Sequence, residues 1–443
     1  MQEPEIKVGV IEGVREITGR FNGPFHLNDG QTFSGPYSVN TTEGRMIFAD
    51  AAGKRIDQQK ELCFKPMEGA TFSLADVTIG VRFHWERKQA QTFQGDLLLL
   101  EKPGGTLSAI NRLHLEDYLS SVISSEMSAT APLELLKAHA VISRSWLLAM
   151  LKRQGKTKNK GADLRQASLK AGEIIRWYGR EDHALFDVCA DDHCQRYQGI
   201  TKIISQHVAE AVQSTRGVFL VYDHEICDAR YHKACGGRTD NFENTWEDIP
   251  VPYLSSIADA EAPHDPIGTE AAAVKWVFTR PDVYCNTTDS LLLQQILPDF
   301  DRETADFFRW QVIYRREELE AILKEKSGID FGFLQGLVPL ERGPSGRIIR
   351  LRIEGSKQTV IVGKELEIRR WLSRSHLYSS AFCVSMERDS SGLPVCFILH
   401  GAGWGHGVGL CQIGAAVMAT KGYQAEDILK HYFHGAELKK LYD

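Results

Sequence analysis

Short apolar or alternating stretches separated by Gly, Asn and Asp fill the chain from Ile6 to about Leu100, among them VGV at 8–10, FHLNDG at 25–30 and VTIGVRF at 77–83. Stretches of that length bounded by turn residues predict strands, so residues 1–100 read as a β-rich region. The pattern changes at Leu113. Leu115, Leu119, Val122 and Ile123 recur at helical spacing through Met127. A second helix is expected beyond Thr130, with Pro132 near its first turn and Glu134 where a carboxylate favours the positive helix end. It continues to about Leu151, with Leu136, Ala140, Ser143 and Leu147 on one side and small residues that permit close packing.

Residues 184–257 return to short strands and glycine turns. From Asp259 to about Gly328 helix signals dominate, in LLLQQILPDF and REELEAILKEK. Strands resume at Gly346, because Ile349, Leu351 and Ile353 alternate with Arg350, Arg352 and Glu354 as a half-buried strand requires. Thr359–Val362 forms another, followed by the helix-like LEIRRWL. Two C-terminal helices are expected, Ile413 to Lys421 ending at Gly422 and Ala425 to Phe433 ending before Gly435. The expected fold is α+β and multidomain: a β-rich region over 1–100, a core whose first part is 101–257, an inserted α/β subdomain over 258–345, and the rest of the core over 346–443.

The 52 basic and 58 acidic residues give a net charge of −6 with no basic domain or tail, which makes nucleic acid a poor partner. No apolar run reaches the roughly 20 residues of a membrane span, and MQEPEIKVGV does not read as a signal peptide. Nine cysteines scattered through 443 residues do not make a dense disulfide framework.

Thiolates and imidazoles at the spacing of His183, Cys189, His193 and Cys194 can surround zinc tetrahedrally, as a closed structural site. His193 and Cys194 are adjacent and can both ligate only if the loop turns sharply, so Cys235 is an alternative ligand. A Cys189–Cys194 or Cys194–Cys235 disulfide is the competing reading. Glu126, in SSEMS, stands at the junction of the two expected helices. A carboxyl group in a partly apolar cleft can become a proton donor near neutral pH, as glycosidic cleavage requires, although a single Glu is more often a solvated surface charge. YHKACGGRTD supplies His232, Gly236, Gly237 and Thr239; GAGWGHGVGLCQIGAA sets Trp404 and His406 among glycines ahead of a helix containing Gln412. Glycines allow close backbone approach, and a tryptophan among them can stack on a sugar or simply complete a tight turn. No βαβ context accompanies the glycines, so a nucleotide fingerprint is excluded, and H-E-x-x-H and G-x-S-x-G are absent. Cys411 with His406 lacks a third member for a thiol protease.

LEDYLSSVISSEM followed by PLELLKAHAVISRSW, then TRGVFLVYDHEICDARYHKACGGRTDNFENTW and GAGWGHGVGLCQIGAAVMATKGYQAEDILKHYF, resemble in order the signatures of the stage II sporulation protein D family, which includes the LytB amidase-enhancer proteins. The resemblance runs from about residue 70 to the C-terminus. It implies a lytic transglycosylase that cleaves MurNAc–GlcNAc linkages of peptide-free peptidoglycan glycan strands and leaves 1,6-anhydroMurNAc ends, with Glu126 as catalytic residue. It implies sugar contacts from Arg144, His232, Trp404, His406 and Gln412, with the glycine turn of Gly236, Gly237 and Thr239. It also implies structural zinc at His183, Cys189, His193 and Cys194, an extracytoplasmic location and cooperation with a cell-wall amidase. A noncatalytic glycan-binding enhancer of an amidase and a zinc-dependent amidase are the rival readings. Ser128 stands where the family usually carries proline, which would loosen the turn holding Glu126, and Cys411 where serine is common.

Overall fold

The computed structural model describes residues 2–42, 44–58, 60–81, 86–157, 167–170, 172–177, 183–298, 301 and 306–443. It is an α+β protein that divides into two compact units. The first comprises residues 1–144, 182–219 and 440–443; the second comprises 145–181 and 220–439.

The first unit is built on an eleven-stranded sheet. The β-rich region continues past residue 100 to the strand Thr106–His114, because Leu107, Ala109, Ile110 and Leu113 are buried and register with Asp96–Lys102 on one side and Glu5–Val14 on the other. Phenylalanines close its core: Phe21 stacks on Phe25 at 4.6 Å, and Phe48 meets Phe64 at 4.7 Å. Glu5–Val14 also pairs, in parallel, with the two-residue strand Val188–Cys189, so Cys189 lies opposite Gly9. A Cβ at Gly9 would stand 2.4 Å from the Phe186 ring, so glycine is what lets Phe186 seat there.

Helix α1, Leu115–Glu126, buries Leu115, Tyr118, Leu119, Val122 and Ile123 completely, as its periodicity requires. Helix α2, Leu133–Thr157, follows after a short turn, and the division between the units falls within it. Ser128 holds that turn instead of loosening it: its hydroxyl bonds Thr130 Oγ1 at 2.8 Å and accepts from the Thr130 N–H, while its carbonyl accepts from Ala131. A hydroxyl bonding to the backbone two residues on does here what a proline ring does by fixing φ. Within the segment read as strands and turns lies helix α3, Gln206–Ser214, capped by Ser205, whose side chain accepts the His207 N–H. Only Val208, Ala211 and Val212 of its nine residues are buried, too short a stripe to stand out from the sequence.

In the second unit Ile348–Gly355 alternates as expected, with Leu351 and Ile353 fully buried and Arg350 and Arg352 half-buried. It sits in a five-stranded sheet between Thr359–Gly363 and Leu334–Arg342. Arg309–Arg315, Pro394–Ala402 and Phe382–Arg388 form a three-stranded sheet around Trp310, Phe382 and Leu399. The C-terminal helices run Gln412–Thr420 and Ala425–Tyr432. Among the described residues no helix is long and apolar enough to cross a membrane.

Candidate functional site

In the first unit Glu126 is the last residue of α1, half-buried, with Met127 wholly buried behind it. Its Oε1 accepts the backbone N–H of Arg196 at 2.9 Å. The segment that supplies this N–H is clamped to the helices. Tyr118 Oη donates to Gln195 Oε1 at 3.1 Å, the Gln198 N–H to Ser121 Oγ at 3.0 Å, and Tyr197 stacks on Tyr118.

Immediately before this segment the four residues His183, Cys189, His193 and Cys194 come together, with one ligand atom of each within 4.8 Å of the others. His183 Nε2 is 3.3 Å and His193 Nδ1 3.5 Å from Cys194 Sγ, and Cys189 Sγ is 4.0 Å from His193 Nδ1. Tetrahedral zinc with bonds of about 2.0 Å to nitrogen and 2.3 Å to sulfur separates such ligands by about 3.6 Å, so the tetrad fits one metal ion. Hydrogen bonding from Cys194, then His183 and His193, outweighs burial and pulls the Cys189 thiol down to about 2, giving the thiolate a metal needs. The His183 ring packs on Phe186, so Gly9 and the Val188–Cys189 strand together place two ligands. All nine cysteines are free, which removes the disulfide alternatives, and Cys235 lies in the second unit, in a different cluster.

Arg144, expected to face sugar, is completely buried. Its Nε and Nη2 form a fork with Glu116 Oε1 and Oε2 at 3.0 and 2.6 Å, and Nη1 donates to the Val218 carbonyl at 3.0 Å. Glu116 also accepts from the Gly217 N–H and the Tyr442 hydroxyl. With its donors turned inward, Arg144 ties α2 to α1 rather than facing a ligand.

In the second unit Tyr231–His232 pairs in parallel with Leu410–Cys411, and Ala234 and Trp404 exchange backbone hydrogen bonds of 3.0 and 2.7 Å. The two glycine-rich segments therefore run side by side. His232 is buried; its Nδ1 is 3.2 Å from the Val408 carbonyl and so carries the proton, and among the described residues its Nε2 has no hydrogen-bond partner. His406, 5.5 Å away ring to ring, accepts the Val408 N–H on Nδ1 at 3.0 Å, which leaves Nε2 as its donor. Burial first, then the neighbouring His232 and Arg230, pushes His406 well below the ordinary histidine range, so the ring is neutral at pH 7. Trp404 is half-buried and stacks on Tyr378 at 4.0 Å, with Phe307 at 4.8 Å. Gly236, Gly237, Thr239 and Gln412 are all buried. At φ +114 Gly237 lies against Trp276, whose ring a Cβ there would meet at 2.6 Å. Thr239 Oγ1 accepts the Ile257 N–H at 2.8 Å, which ties the turn to the segment 18 residues on.

Residues that the sequence reading passed over complete this region. Trp246 lies 5.1 Å from His406, carries the Arg230 guanidinium 4.2 Å from its ring centroid, and has a buried indole N–H with no partner among the described residues. Its place in the NFENTW string was the available signal. Fully buried Arg347 donates to the Cys235 carbonyl at 3.1 Å and the Gly405 carbonyl at 3.0 Å, tying the two turns together. Gly407 makes room for it, since a Cβ there would stand 2.4 Å from Arg347 Cζ. A second group able to hold a metal, Cys235, Asp259, Cys285 and Cys411, is wholly buried. No local spacing announces it.

Residues 103–222 match a family described as stage II sporulation protein, and residues 240–409 match a domain of unknown function, DUF8618. An uncharacterized protein of Brachyspira hyodysenteriae is 24% identical over 98% of this chain and 92% of its own length. Stage II sporulation protein D of Bacillus subtilis is 25% identical over 75% of this chain and 76% of its own. The amidase enhancer of Bacillus subtilis is 25% identical over 72% of this chain but only 40% of its own length. The chain is thus a homologue of stage II sporulation protein D and of amidase-enhancer family members.

Proposed function

We propose that this homologue of stage II sporulation protein D works on the glycan of the bacterial cell wall, as a lytic transglycosylase in which Glu126 moves the proton. The observation behind this reading is the seating of Glu126: a half-buried carboxyl group at a helix end, backed by buried Met127 and oriented by the Arg196 N–H. In its acid form Glu126 gives its proton to the MurNAc–GlcNAc glycosidic oxygen, and the bond from that oxygen to C1 breaks. As carboxylate it then takes the proton of the muramoyl 6-hydroxyl while that oxygen bonds to C1, giving the 1,6-anhydro end and restoring the acid. No water is consumed.

Zinc at His183, Cys189, His193 and Cys194 would supply structure rather than chemistry, since four protein ligands leave no open position for a hydrolytic water. That counts against the zinc-amidase reading. Its place in the chain, two residues before Arg196, suits it to hold the N–H that orients Glu126. His232, His406, Trp404 and Gln412 are proposed as sugar contacts framed by Gly236, Gly237 and Thr239, while Arg144 braces α1 and α2 in the first unit. The substrate implies an extracytoplasmic location, and cooperation with a cell-wall amidase follows from the preference for peptide-free strands.

A second reading, a noncatalytic glycan-binding enhancer, is the one that the relatives' names favour, because one is called an amidase enhancer and none is named for glycan cleavage. Incubation with peptide-free glycan strands and mass analysis of the products separates the two. Anhydro-ended fragments from the parent and none from an equally folded Glu126→Gln support the transglycosylase. Intact strands, combined with stimulation of an amidase by parent and variant alike, support the enhancer. Reducing-end products, or undiminished cleavage by Glu126→Gln, overturn the role of Glu126.

A further inference from the structure

We infer that the second unit contains its own structural zinc site, formed by the thiolates of Cys235, Cys285 and Cys411 and the carboxylate of Asp259. The four side chains are 0–2% exposed, and their ligand atoms all lie within 4.8 Å of one another, which leaves room for a single ion. Cys235 Sγ and Cys285 Sγ are 3.5 Å apart, far from the roughly 2.05 Å of a disulfide. The spacing is close to the roughly 3.8 Å edge of a tetrahedron with zinc–sulfur bonds of about 2.3 Å.

The surroundings are those of anions. The Gly237 N–H points at Cys235 Sγ at 3.3 Å, and the N–H groups of Cys235 and Gly414 point at Cys411 Sγ at 3.2 and 3.4 Å. Cys411 is also the N-cap of the helix Gln412–Thr420, where the positive helix end favours a thiolate. Asp259 accepts the Cys285 N–H at 3.0 Å on one oxygen and the Tyr432 hydroxyl at 2.5 Å on the other. These five donors orient the ligands and disperse the negative charge in excess of a dication, as outer-shell partners of metal sites do. Among the described residues no Lys or Arg pairs with Asp259, so this completely buried acid has no protein cation. Burying an unpaired carboxylate costs several kcal/mol or more, and a dication at the centre of the group removes that cost.

Such an ion would join four stretches far apart in the chain: the Gly236–Gly237 turn beside Cys235, the segment carrying Asp259, the segment carrying Cys285, and the start of the helix that carries Gln412. Sulfur-rich tetrahedral coordination selects zinc, and four protein ligands make the site closed. This inference does not depend on Glu126 or on the activity proposed above.

Zinc is measured by mass spectrometry of the purified full chain after dialysis, in a Cys189→Ser/Cys194→Ser background that disables the first tetrad. The background chain is expected to keep one zinc ion, and adding Cys285→Ser to remove it. Asp259→Asn, nearly unchanged in size, is expected to retain the fold and to weaken zinc at least tenfold in competition with a chromogenic chelator. Three results would overturn the site: no zinc in a folded background chain, a Cys235–Cys285 disulfide in the non-reduced peptide map, or zinc affinity unaffected by Asp259→Asn.

Discussion

Replacing Arg144 by Met separates a framing role from a sugar-binding one. The guanidinium is completely buried, the Glu116 side chain is 6% exposed, and two charge-assisted bonds of 3.0 and 2.6 Å join them. Without Arg144 the carboxylate keeps only the Gly217 N–H and the Tyr442 hydroxyl, too little to solvate a buried charge. Breaking a buried pair from one side costs about 3–5 kcal/mol, roughly a fifth or more of the stability of an ordinary domain. Glu116→Leu leaves the guanidinium with the carbonyls of Val218 and Ala140 and is expected to cost a similar amount. The double variant Glu116→Leu/Arg144→Met buries no charge and should recover most of the loss, so its cost falls far below the sum of the two single costs. Urea unfolding at pH 7 measures all four corners of the cycle. Glycan binding per folded molecule should change less than threefold in the double variant. An Arg144→Met chain as stable as the parent but unable to bind glycan would refute the framing argument and restore Arg144 as a sugar contact.

Gly407→Ala combines an unfavourable φ of +83° with a Cβ driven into Arg347, so it should lower stability by more than about 1 kcal/mol, read as a fall in Tm. Ser128→Ala removes the hydroxyl bonds of the turn after Glu126 and should cost about 0.5–1.5 kcal/mol in urea unfolding. His431 is held neutral, with burial pushing it down to about 4 and His434 adding to the effect. The unfolded chain therefore binds this proton near pH 6.5 and the folded chain only near 4, so stability falls as pH drops through that window, by about 2 kcal/mol between pH 6.5 and 5. His431→Phe should flatten that part of the profile in thermal melts. Removing metal from the first tetrad with a chelator should raise hydrogen exchange at residues 194–198 before exchange rises in the sheet, because those residues follow the ligands directly.

Features whose causes are local can be read directly from the chain. The 3.6-residue periodicity of Leu115–Ile123 specified α1 and with it the helix-end position of Glu126, and the alternation of Ile349, Leu351 and Ile353 specified a strand. The terminal helices were legible from their apolar spacing and the glycines after them. The gathering of His183, Cys189, His193 and Cys194 was legible because they fall within twelve residues, a span one loop can bring together. Tertiary structure alone decided what depends on distant segments meeting. Cys411 reaches Cys235 only because Tyr231–His232 pairs with Leu410–Cys411, and Arg144 turns inward because Glu116, 28 residues earlier, is buried against it. Short-range periodicity records which face of an element is apolar, but not which other element covers it. That is why the position of Glu126 could be read from the chain, while the second cluster and the role of Arg144 appear only once the sheets are paired.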